Sequence, residues 1–206
     1  MGPLNKTKRG HKYILTVRDT FSKWLEAFPL RAATADQVAK VLQREILGRY
    51  GVPDVIHSDQ GTQFTSGLFK DLTSLLNIRA TTTPAYNPRS NPVERAHRDL
   101  GPMLRAMQTD YGIDATAWDE LLPQATFALN TAVSSSTGTS AFRILFGRDP
   151  QTPLTAIFGR PPEEETERSH SEDLRAFQRR MEVAHEHVRR NLLASVERRR
   201  RMYNNQ

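Results

Sequence analysis

The order in which strand-like and helix-like patterns follow one another constrains this chain more than any other feature. Tyr13 to Val17 and Trp24 to Phe28 are rich in β-branched and aromatic residues and read as two strands of a meander. From Thr34 the period changes. Val38, Val41, Leu42, Ile46 and Leu47 keep helical spacing until Gly51 and Pro53, which predicts a first helix over about 34–50. Val55-Ile56-His57-Ser58 is a short strand ending at Asp59, after which Leu68, Phe69, Leu72, Leu75 and Leu76 mark a second helix. Ala80 to Thr83 reads as another strand, followed by a loop rich in Asn and Pro, a helix from near Pro92, and a helix over Trp118 to Thr131. Strands first, with helices interleaved after them, predict an α/β fold: a mixed sheet with helices on both faces.

Composition allows such a fold and narrows the class. The chain has 206 residues, 37% of them apolar, which suits one domain with a real core plus an appendage. No run approaches the roughly 18 apolar residues of a membrane span, and the start lacks the regions of a signal peptide, so a soluble chain with no membrane contact is expected. Cysteine is absent, which excludes disulfides and thiolate zinc sites, and the six His residues show no paired ligand spacing. A reducing compartment fits.

A net charge of +6 and a pI near 9.9 favour a polyanionic partner. From Arg168 onward ten Arg face five acids, a balance of +5, so residues 1–167 carry +1. The basic character belongs mostly to the tail. Residues 149–168 hold four prolines and the acidic cluster Glu163 to Glu165. The chain is therefore divided into a core (1–150), a linker (151–168) and a basic helical tail (169–206). In the tail, Leu174, Phe177, Met181, Ala184 and Val188 recur at threes and fours, the mark of a long amphipathic helix running into Arg198 to Arg201. Fewer than four heptads hold, and Asn191 and Ser195 fall on the continuing seam. A partner-binding coiled coil and a helix packed on its own core both remain open.

Two carboxylates stand in unlike contexts: Asp59 in His57-Ser58-Asp59-Gln60-Gly61-Thr62-Gln63-Phe64, and Glu94 in Asn91-Pro92-Val93-Glu94-Arg95, 35 positions later. A phosphodiester resists attack because its charge repels nucleophiles. Two divalent ions about 3.5–4 Å apart activate the attacking oxygen and steady the leaving one. Acids gathered without a cation repel by about 4 kcal/mol per pair at about 4 Å and an effective dielectric of about 20. Read alone, Asp59 is a turn residue before Gly61, and Glu94 is a first-turn carboxylate stabilised by the helix dipole.

These segments together resemble the catalytic core of retroviral and Gypsy-type retrotransposon integrases. The likeness runs through Gly2-Pro3, Lys12 to Val17, Asp19-Thr20-Phe21-Ser22-Lys23-Trp24, Ser135 to Phe142 and Leu145-Phe146-Gly147, roughly the first 150 residues. It implies a ribonuclease-H-like fold, a Mg2+-dependent polynucleotidyl transferase chemistry joining DNA strands, and a nuclear location. It also implies that Asp59 and Glu94 are two of three metal-ligating acids. Mg2+, or Mn2+, is expected only if that site is completed. The family's first acid precedes a Gly-Pro pair by three residues, and Met1 begins two residues too late to include it, so this chain is expected to bind DNA without joining it. By the same resemblance Gln63 and Asn87 touch substrate or support the active loop, and Arg95, Arg98 and Arg105 meet DNA phosphates. The bland reading of Gln63 and Asn87 is turn hydrogen bonding, and that of the arginines a solvated helix face. Asp19 reads as a turn residue, not a substitute acid, and His57 and His97 as poor candidates for a general base.

The chain also departs from the family. Gly101-Pro102 falls inside a helix expected over about 92–110 and predicts a kink or break just after Arg98. Ala141 and His97 replace the Pro and Asn that are common at those places. The alternative reading is a domesticated, non-catalytic module that binds DNA or a protein through the helical tail, with self-association as a further use of that helix.

Overall fold

The computed structural model describes residues 1–83, 92–151 and 170–204. Side chains are described from Ala96 onward in the helix that begins at Pro92, and from Arg175 to Met202 in the last helix. The expected loop residue Asn87 and most of the expected linker lie outside the described residues. The chain forms two compact units: Met1–Arg18 with Leu25–Thr126, and Asp19–Trp24 with Phe127–Gln206.

In the first unit, strands β1 (Tyr13–Arg18) and β2 (Leu25–Leu30) pair antiparallel, with Tyr13 opposite Leu30 and Arg18 opposite Leu25. Met1 takes the other edge of β1: its amine donates to Ile14 O at 2.8 Å, and its carbonyl accepts from Ile14 N at 2.9 Å. Pro29, opposite Ile14, therefore forfeits nothing. Both backbone groups of Ile14 already point away from it, so no donor is owed across the pair.

The expected first helix is three contiguous pieces: α1 (Ala35–Val41), a π-helical stretch (Leu42–Leu47) and α2 (Gly48–Tyr50). Thr34 Oγ1 accepts from Gln37 N at 3.4 Å and starts it. The apolar stripe does not distinguish the π-helical turn from an α-helical one, which is why the pattern reads as a single helix. Val38 and Leu42 pack with Leu15, Leu30 and Phe69 to make the core of this unit.

Strand β3 (Val55–Ser58) runs parallel to β4 (Arg79–Thr82), with Val55 opposite Arg79 and Ser58 opposite Thr82. A parallel pair needs a crossover, which helices α3 (Thr62–Thr65) and α4 (Gly67–Leu75) supply. Of the residues that mark α4, Phe69 is the buried anchor, while Leu68 and Leu75 are exposed. Among the described residues the two ladders share no strand.

Helix α5 (Pro92–Asp110) packs on β1 through Ala96, Leu100 and Leu104, spaced by four and all buried. It is continuous, which corrects the break expected at Gly101-Pro102. Pro102 is exposed and Gly101 buried. The missing hydrogen bond therefore falls on the solvent side, and burial of Leu100 and Leu104 offsets a propensity cost of about 4 kcal/mol for the pair. Helix α6 (Trp118–Thr131) opens with a buried carboxylate in its first turn. Asp119 Oδ2 accepts from His11 Nδ1 at 2.6 Å and from Thr7 Oγ1 at 3.2 Å, and Trp118 Nε1 donates to Asn5 O at 2.8 Å. These bonds fasten the N-terminal loop.

The second unit is built on an aromatic cluster: Trp24 and Phe146 have ring centroids 5.4 Å apart, and Phe142 and Phe146 4.6 Å apart. Asp19 serves its turn, with Oδ2 accepting from both Ser22 N and Ser22 Oγ at 2.6 Å. Helix α7 (Ala141–Phe146) is capped by Ser140 and ends at Gly147, whose φ of 68° is left-handed. A Cβ there would also lie 2.5 Å from Met181 Sδ, so glycine admits both the turn and the close approach of α8 (His170–Asn204). Helix α8 packs on its own unit. His185 Nε2 donates to Ile144 O at 3.1 Å, Asn191 Nδ2 to Thr137 O at 2.8 Å, and Val188 is fully buried. Asn191, a polar interruption of the tail's apolar pattern, is thus a docking residue.

Candidate active site

Asp59 follows β3 at the point where the chain turns into α3. Its backbone is fixed from both sides. On the strand side, Thr83 N donates to Ser58 O at 2.9 Å and Gln60 Nε2 to Thr83 O at 3.1 Å. On the helix side, Phe64 stacks edge-on against the buried Phe69 with centroids 5.5 Å apart. The carboxylate itself is exposed: Oδ1 accepts from Gly61 N at 2.9 Å, and Oδ2 has no hydrogen-bond partner among the described residues. A Cβ on Gly61 would sit 2.4 Å from Gln63 Nε2 and 2.9 Å from Asp59 Oδ1. Glycine is therefore what lets the Gln63 amide and the Asp59 carboxylate share one corner.

His57 is occupied structurally, with Nδ1 bonded to Thr81 Oγ1 and Nε2 to Thr83 Oγ1, each at 3.0 Å. His97 on α5 is different. Its Nε2 shares a 2.6 Å hydrogen bond with Thr16 Oγ1 on β1. Burial first and the Met1 amine second lower its pKa, against the opposing Asp59 carboxylate, to about 4. Burial likewise lowers the Met1 amine, again against the pull of Asp59. The charge of Asp59 thus acts on both His97 and the Met1 amine.

Glu94 and Arg95 sit in the first turn of α5, three and two residues ahead of His97, and their side chains are outside the described residues. Arg98 and Arg105 are exposed on the same helix, seven residues apart and so on one face. Nothing in the sequence singles out Thr16 or the Met1 amine, and the sequence reading sets His97 aside. The signal that could have found His97 is its spacing of three from Glu94. Among the described residues no three His, Cys, Asp or Glu side chains gather closely enough to hold a metal ion.

Residues 3–88 match the integrase core domain family. The crystal structure of the catalytic core domain of BIV integrase is 36% identical and superposes with a TM-score of 0.51, covering 64% of this chain and 83% of that one. This chain carries an integrase core of the retroviral type. The Gag-Pol polyprotein of feline leukemia virus is 34% identical over 190 residues, covering 90% of this chain and 10% of the polyprotein. That of avian reticuloendotheliosis virus is 37% identical over 144 residues, covering 69% and 12%. This chain thus spans about a tenth of the length of these curated relatives. The simian T-cell lymphotropic virus intasome, solved in complex with PP2A regulatory subunit B56 gamma, shares the fold. Its TM-score is 0.60 at 24% identity, covering 81% of this chain and 57% of that one. The architecture is the ribonuclease-H-like one, helices with antiparallel and parallel strand pairs, and it ends in a C-terminal helix. No described helix is long and apolar enough to cross a membrane.

Proposed function

We propose that this chain serves DNA integration: it binds DNA, and with a completed acid site it transfers a DNA 3′ hydroxyl onto a target phosphodiester. The observation that carries this reading is the corner at Asp59. An exposed carboxylate is held at a strand end, and its charge acts on His97, three residues after Glu94 in α5.

In this reading Asp59 and Glu94 are metal ligands, Gln63 and Asn87 touch the strand or support the loop, and Arg95, Arg98 and Arg105 bind phosphates. The donor set fits Mg2+ or Mn2+ in part. Asp59 offers a free, hard carboxylate oxygen, yet two acids are fewer than a two-ion site uses, and the positive charge acting on Asp59 is the Met1 amine. When bound, the ions would supply Lewis-acid stabilisation of the phosphodiester oxygens. The chain's own residues fix the acids in place, position the strand against the α5 arginines and keep His97 neutral. The division into core, linker and tail at residues 150 and 168, and a nuclear location, belong to the same reading.

Calorimetric titration with Mn2+ and a strand-transfer assay test it. The chain extended upstream by a short segment carrying Asp two residues ahead of Met1 is expected to bind Mn2+ and join DNA. Asp59→Asn in that chain should abolish both. Joining that survives Asp59→Asn would refute the assignment.

A further inference from the structure

Glu94-Arg95-Ala96-His97 sets a carboxylate residue and an imidazole three positions apart at the start of α5. A Glu-x-x-His pair on one helix is a ligand spacing that carboxylate-rich metal sites use. The three-acid set implied by the resemblance contains no nitrogen donor, and the Asn common at this place has no ring nitrogen to offer. His97 therefore brings a ligand type to the corner that the acids do not.

The surroundings of the ring suit that use. Its Nε2 shares the 2.6 Å hydrogen bond with Thr16 Oγ1, a buried hydroxyl on β1. Its Nδ1 has no hydrogen-bond partner among the described residues. One nitrogen fixed by an outer hydrogen bond and the other open is how a metal-bound histidine is held, with the outer partner setting tautomer and ring plane. His57 lacks this arrangement, since both of its nitrogens are bonded to threonine hydroxyls. Helix α5 packs on β1, and Ile56 of β3 packs on the same apolar cluster as Leu15 of β1. The strand carrying Thr16 and the strand that ends at Asp59 thus border one core. Asp59 Oδ2 is open as well, and the Asp59 charge acts on the His97 ring.

We propose that His97 Nδ1 is a metal ligand, and that Asp59, Glu94 and His97 together bind a divalent transition ion such as Zn2+ or Co2+ in preference to Mg2+. This rests on the reading of Asp59 and Glu94 as ligands, and adds the third donor and the kind of ion. Imidazole is a good donor for Zn2+ and Co2+, whereas Mg2+ takes oxygen and keeps its waters, so a ring nitrogen favours the former. Thr16 is a positioning residue that acts through His97.

Calorimetric titrations of the full chain with Zn2+ and with Mg2+ test it. Zn2+ is expected to bind at least about 100-fold more tightly than Mg2+. His97→Asn should weaken Zn2+ binding about 10- to 100-fold and leave Mg2+ binding within about twofold. Thr16→Val, which keeps the size and loses the hydroxyl, should weaken Zn2+ binding about tenfold. With Co2+ as the probe, a paramagnetically shifted imidazole resonance should appear by NMR and vanish in His97→Asn, a signature that a packing role does not produce. Urea midpoints establish that each variant is folded. If Asp59→Asn weakens Zn2+ binding while His97→Asn does not, the nitrogen ligand falls and the two-acid reading stands. If His97→Asn weakens it while Asp59→Asn does not, His97 holds an ion away from Asp59 and the proposed site is wrong. If the chain binds no Zn2+, or binds it without regard to either residue, this proposal is overturned, and the two-acid reading is judged by the Mn2+ titration of the extended chain.

Discussion

His97 on α5 and Thr16 on β1 share a 2.6 Å hydrogen bond, and through it the helix that begins with Glu94 is fastened to the strand that carries Met1 on its edge. A neutral ring in this place makes stability depend on pH. The unfolded imidazole titrates near 6.5 and the folded one at about 4, so between these values the unfolded state holds more protons. Stability is therefore fully present above about pH 6.5 and declines as pH falls toward 4. The loss is about 1–2 kcal/mol, discounted from the full shift because the ring is partly exposed. Urea midpoints of the wild type and His97→Gln should converge as pH falls through this window. Curves that stay parallel would contradict it.

Asp59→Asn keeps the shape and the acceptor for Gly61 N but removes the charge. Folding stability is expected to change by less than about 1 kcal/mol. The pKa of His97, followed by NMR, should move lower still, since Asp59 is the group that raises it. An unchanged His97 titration would show that the two do not share a site.

Gly61→Ala puts a methyl where Gln63 Nε2 and Asp59 Oδ1 now approach. Both are side-chain atoms that can move, so stability should hold within about 1 kcal/mol while the corner is rearranged. In the extended chain, Mn2+ affinity is expected to fall at least about tenfold, or about 1.4 kcal/mol. Wild-type affinity in a normally folded variant would show that the Gly61 approach is not needed.

Asp119→Ala strips Thr7 and His11 of their shared acceptor in a buried place. A loss of about 2–3 kcal/mol in denaturant unfolding is expected, with Asp119→Asn costing about half as much. A cost below about 0.5 kcal/mol would show that the N-terminal loop is held elsewhere.

Pro102→Ala restores a backbone donor on the exposed side of α5. The variant should be more stable by about 1–3 kcal/mol, seen as a raised urea midpoint. A destabilised variant would mean that Pro102 packs against something in the folded protein.

Much of the fold was legible because periodicity is a local property. Strand β3 and helix α6 have the bounds that their apolar patterns imply, and Thr34 caps the first helix as its chemistry suggests. At the site, the octapeptide around Asp59 was legible as a turn. His97 was not, because its importance comes from Thr16, 81 positions away on another element. Of the kink or break expected just after Arg98, the break failed for a related reason. Helix propensity is a local cost of a few kcal/mol, and Leu100 and Leu104 buried on either side of it outweigh that cost.

The sequence by itself determined the element order, the two carboxylates and their 35-position interval, and the concentration of charge in the last helix. Only the tertiary structure decided that the charge of Asp59 acts on both His97 and the Met1 amine, and that α8 docks through Asn191 while its arginines stay free of ion pairs among the described residues. The reason is physical. Patterns of three, four and two residues report which side of an element is apolar, whereas charge coupling and docking depend on distances between elements that no local pattern encodes.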